Sequence, residues 1–144
     1  MTVLLKPTLK VIQSHLEASG YFKSTGIGEP RQPPDSPHAC VVVARGSNPT
    51  TTLNGSIERR VVIIRLYTDW LAEPIEDIEF WIDEVRAKVE EDLFGDFTLG
   101  GTVRNIEPTE SGWETGSITI GSTIYRTLDY TLSMTIDDSS TYAP

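Results

Sequence analysis

Cysteine is almost absent. Cys40 stands alone in 144 residues, which excludes an intramolecular disulfide and suits a reducing compartment. Histidine is nearly as scarce, with only His15 and His38. His38 and Cys40 supply two metal ligands at most, and no Cys or His beside them completes the four, or three plus water, that zinc requires. No apolar run approaches the ~20 residues of a membrane span. The N-terminus lacks the basic region, apolar core and cleavage site of a secretory signal, so manufacture in a cytoplasm is expected. Without a secretory route, the sequon Asn54-Gly55-Ser56 reads as a turn. Basic residues are missing from one stretch in particular. Residues 69–96 hold eleven acids against Arg86 and Lys88, and the formal net charge of the whole chain is −9. The rest of the chain is balanced, so the acidic excess belongs to that segment. General affinity for phosphate backbones, which needs a cationic patch, is not expected.

What is present reads as a single α+β domain of ordinary length, with two helices on one face of a mostly antiparallel sheet. Leu5, Leu9, Ile12 and Leu16 trace one helical face, with Pro7 in its first turn and Gly20 as terminator. Residues 23–37 are rich in Gly, Pro and Ser and are expected to form a long loop. Gly26-Ile27-Gly28 is no dinucleotide fingerprint, because no helix can follow through the prolines. A strand starts near Cys40. Residues 45–56 are expected to form a polar loop at the tip of a hairpin, well beyond the roughly two to five residues usual there. A strand over 57–67 turns Val62, Ile64 and Leu66 to one side and Arg59, Val61, Ile63, Arg65 and Tyr67 to the other.

Ile75, Ile78, Ile82, Val85, Val89 and Leu93 keep a three-four rhythm between Pro74 and Gly95, which predicts the second helix. A short strand over 102–106 and a turn-rich segment over 107–117 follow. The last strand alternates strictly, with Ile124, Leu128, Tyr130, Leu132 and Met134 on an inner face and Tyr125, Thr127, Asp129, Thr131 and Ser133 on an outer one. Arg126 falls on the apolar face, where it either snorkels to water or meets an acidic partner. The domain is expected to span 1–136, with 137–144 as a flexible tail.

Catalysis needs convergent polar groups, and the pattern offers few. His15 lies off the helical stripe. His38 and Cys40 share a strand face with parallel side chains, a poor geometry for proton transfer. The acids of the second helix read as a solvated face, with Glu84 and Lys88 set for an i,i+4 pair. Two features exceed that reading. Glu90, Glu91 and Asp92 sit at the negative end of the helix dipole, where they are unfavourable. Phe80 points away from the apolar stripe, so it is exposed unless a loop or another subunit covers it. No catalytic, cofactor-binding or metal residue is assigned, and the expectation is a protein that is not an enzyme.

The order of elements is an N-terminal leucine-striped helix, the hairpin segments HACVVVAR and SIERRVVIIRLYTD, the acidic helix EPIEDIEFWIDEVRAKVEEDLFG and the closing STIYRTLDYTLSM. It resembles the tail terminator or tail completion proteins of long-tailed bacteriophages, and related neck and head-tail joining proteins. The resemblance implies a homo-oligomeric ring, hexameric in that family. The ring caps the tail tube, stops its polymerisation and offers a surface to the head connector protein. The protein would be made in the host cytoplasm and end in the virion. On this reading Phe80 and Arg126 lie at the oligomer interface. Asn48, Thr50, Thr51, Thr52 and Asn54 contact the tail-tube protein. Glu90, Glu91 and Asp92 face a channel through which DNA passes without specific binding. No cofactor and no membrane are implied. The alternatives are another neck protein, or a soluble binding module using a pocket of Tyr67, Trp70 and Trp113.

Overall fold

The computed structural model describes residues 5–52, 55–71 and 74–137. The leucine stripe forms α1 (Lys6–Ala18), which buries Leu9, Ile12 and Leu16 together with Thr8. Pro7 sits in the first turn, and the chain leaves the helix at Gly20, whose φ of +80° is the left-handed geometry that favours glycine. The second rhythm forms α2 (Ile75–Phe94), which buries Ile78, Ile82, Val85, Val89 and Leu93.

Five strands, β1 (Ser24–Ile27), β2 (His38–Thr52), β3 (Gly55–Asp69), β4 (Asn105–Ile120) and β5 (Thr123–Asp137), form one sheet in the order β1-β2-β3-β5-β4. Among the described residues only the β1–β2 pair is parallel. The fold is therefore α+β, with both helices on one face. That face carries Val41, Ile64, Leu66, Leu128, Leu132 and Met134, all closed to solvent against the helices. The side-chain period of two sends Cys40, Tyr67 and Tyr125 to the opposite face. There they form a smaller cluster with Val42, Ile118 and Ile120.

Several expectations need correction. The segment 23–37 contains β1, because Ser24–Ile27 pairs with His38–Val41 despite its small polar residues. The expected loop 45–56 is largely paired strand. β2 continues to Thr52, and the register runs Thr50↔Ile57, Thr51↔Ser56, Thr52↔Gly55. Threonines suit a pleated backbone, and Pro49 falls in the register shift between Ser47 and Thr50, where no ladder bond is asked of it. Residues 53 and 54 lie outside the described residues. The turn-rich stretch 107–117 is likewise strand. β4 runs along the sheet edge with an irregularity between Pro108 and Trp113, so Pro108 and Gly112 mark a bulge and not an end. The strand expected from Thr102 begins at Asn105 instead. β5 ends where Asp137 pairs with Ile57, and 138–144 lie outside the described residues.

Side-chain expectations also fail: Ile124, expected on the inner face, is exposed at the start of β5, and Thr127, expected on the outer face, is buried. Ile75 is 69% exposed, because α2 begins beyond the edge of the apolar layer. Tyr125 is buried on the face expected to be wet, because residues of the 28–37 segment cross it and its hydroxyl donates to the Pro34 carbonyl at 3.1 Å. The β4–β5 hairpin closes in a tight turn. Gly121 takes φ +62° between the paired Ile120 and Thr123, with Pro33 against it.

Candidate functional site

The outer face of α2 is the most distinctive surface. Phe80 is 63% exposed. Its neighbours one turn before and after, at i−4, i−3, i+3 and i+4, are Glu76, Asp77, Asp83 and Glu84, all exposed. An aromatic ring thus stands inside a rim of four carboxylates. Asp83 meets Arg86 at 3.4 Å, whereas Glu76, Asp77 and Glu84 make no ion pair among the described residues. Lys88 turns to Glu91 at 3.7 Å, not to Glu84 as the spacing suggested. Trp81, on the flank, packs edge-on to Phe22 with ring centroids 6.1 Å apart.

Arg126 finds an acidic partner inside its own chain. Its Nε donates to Glu79 Oε1 at 2.9 Å and its Nη1 to the Gly116 carbonyl at 3.1 Å, and the guanidinium lies over the Trp70 ring. The arginine therefore bolts α2 onto β5, and little of its donor capacity is left over for a neighbour. Arg86 plays a similar part further along the helix. It donates to Glu90 at 3.0 Å and lies 4.8 Å from the centre of the Trp113 ring.

The three acids at the end of α2 divide. Glu90 is half-buried, held by Arg86 and close to Tyr130, whose hydroxyl is pushed up to about 12 by burial and then by that carboxylate's charge. Glu91 and Asp92 are exposed and line an open groove with His15 and Asp96. His15 Nε2 lies 2.8 Å from Asp96 Oδ2. That bond, followed by the Gly100 amide, holds the Asp96 carboxyl below its ordinary range. The histidine thus ties α1 to the connection after α2.

His38 and Cys40 lie on the loop-covered face. Ser24 Oγ contacts His38 Nδ1 at 2.6 Å, and Cys40 Sγ donates to the Tyr67 hydroxyl at 3.8 Å. Burial raises the thiol and lowers the imidazole pKa. The thiol is thus protonated at neutral pH and hydrogen-bonded to a phenol, the reverse of an activated nucleophile. Beside it Arg65 grips its cross-strand partner Asp129 through two bonds of 2.6 and 2.9 Å and reaches Glu29 at 2.7 Å. Tyr67, Trp70 and Trp113 do not converge. Tyr67 faces the loop, and Trp70 packs with the helix-side core.

Asn48, Thr50, Thr51 and Thr52 lie on the distal part of β2, and Asn54 lies outside the described residues. Below them, on the face away from the helices, is a cavity of about 370 Å³. Arg45, Ser47, Arg59, Val61, Glu107 and Ser133 are among the residues that line it. The two arginines are exposed and make no ion pair among the described residues. The sequence reading passed over them, although Arg59 stood on the mixed face of its strand. No protein-family model and no curated protein matches the chain.

Proposed function

We propose that the protein is a structural terminator of a phage tail, a ring of identical subunits that caps the tube and meets the head connector. It works by assembly, without catalysis. The observation that carries this reading is Phe80, an exposed aromatic at the centre of a carboxylate rim, where an isolated subunit gains nothing from it. Burying one phenylalanine contributes roughly 1.5–3 kcal/mol, and in a ring the gain repeats at each contact. The long β2–β3 hairpin supports contact with the tube, since an arm on a rigid sheet is suited to binding. Glu91 and Asp92 suit a channel wall that repels passing DNA, while Glu90 is occupied by Arg86.

The test is to add the protein to polymerising tail-tube protein. Tubes are expected to stop at limited lengths with this protein at one end. Tubes that keep lengthening, with none of the protein on them, reject the reading. Binding to the connector without binding to the tube would move it to a related neck protein.

A further inference from the structure

The molecule has two unpartnered surfaces of opposite character. The α2 surface is a knob, with Phe80 at its centre and Glu76, Asp77, Asp83 and Glu84 around it. The other is the cavity below the hairpin. Val61 is 5% exposed and forms an apolar floor, and Arg45 and Arg59 stand at the rim. Glu107 is the one acid in that lining among the described residues, and it accepts from Asn105 at 3.2 Å. The two surfaces lie on opposite sides of the sheet, because α2 covers the Val62–Ile64 face and Val61 points the other way.

We infer that the knob around Phe80 of one copy seats in the arginine-rimmed cavity of the next, making the contact between copies head-to-tail. An apolar centre meets an apolar floor, and an anionic rim meets a cationic one, which fixes both partner and orientation. Surfaces on opposite sides of a subunit cannot satisfy each other within a pair. Each added copy leaves one knob and one cavity free, and closure into a ring consumes both. The inference rests on the ring-forming reading for its biological setting, but not for its test.

Charge exchange provides that test. The variants Arg45→Glu/Arg59→Glu and Asp83→Lys/Glu84→Lys are each expected to weaken self-association at least tenfold by sedimentation. Their melting temperatures should stay near the parent's, since all four side chains are exposed. Combining the four changes in one chain is expected to restore association. As a second measurement, Glu84→Cys/Ser47→Cys should give a ladder of disulfide-linked oligomers under mild oxidation, while each single variant gives none. Self-association unchanged by either charge variant, or no ladder, overturns the inference and leaves tube capping untouched. Loss of capping with self-association intact in Arg45→Glu/Arg59→Glu would assign the cavity to the tail-tube protein, and also overturns it. A full ladder from a protein that never caps tubes would keep the head-to-tail contact and reject the terminator.

Discussion

Cys40 and His38 sit two residues apart, and burial moves both toward their neutral forms. For the thiol, access and thiolate fraction both oppose reaction. A thiol-reactive disulfide reagent is expected to leave the native protein unmodified and to titrate one thiol per chain in denaturant. Rapid modification of the native protein would mean that the segment crossing this face opens readily. For His38 the consequence is a pH dependence. Its folded pKa lies below the ordinary 6.5, so between the two values the unfolded chain binds a proton that the fold refuses. Stability from the neutral ring, which faces Ser24 and Tyr67, is complete above 6.5 and is lost as pH falls through the folded value. Melting temperature is expected to fall as pH drops below about 6.5, and His38→Gln should flatten that slope while lowering stability at neutral pH. An unchanged slope would assign the acid sensitivity to the carboxylates.

Among the elements, both helices and the inner face of β5 were readable from residue spacing, because burial on one side imposes a period. Phe80 was readable in the same way, as a residue standing opposite its own stripe. The partner of Arg126 was not, since Glu79 meets it only through the angle at which α2 lies on β5. The distal hairpin and β4 were missed for a related reason. Asn, Pro, Gly and Ser mark turns locally, yet cross-strand pairing can carry a strand through them at a bulge. The hairpin gives a direct test. Removing the pairs Thr51↔Ser56 and Thr52↔Gly55, while keeping 53 and 54 as the connection, preserves the register. It shortens the arm by about 6–7 Å at the usual rise per residue. The fold is expected to melt within a few degrees of the parent, and the tube capping proposed above to be lost; normal capping would reduce the arm to a connector. At the other hairpin, Gly121→Ala should cost on the order of 1 kcal/mol or more, measured by denaturant titration, because of the positive φ and the nearby Pro33.

Over the whole molecule, the −9 charge is polarised: α2 carries most of the excess, and across the sheet lie two arginines that make no ion pair among the described residues. Association through those surfaces is expected to weaken roughly tenfold or more between low salt and about 0.5 M salt, because exposed pairs are screened. Salt-independent association, read by sedimentation, would point to an apolar contact elsewhere. The sequence made the acidic half of this arrangement visible and hid the basic half, since Arg45 and Arg59 become neighbours only when β2 and β3 pair. The irregular outer strand has a further consequence. β4 is 16 residues long, and an unbroken flat strand of that length at a sheet margin would template stray strands and seed fibres. Pro108 and the shift that follows it break the row of free amides and carbonyls, and the longest regular run left is Trp113–Ile120. Copies crowded together are thereby kept from joining edge to edge, so the sheet margin does not become a template for uncontrolled growth.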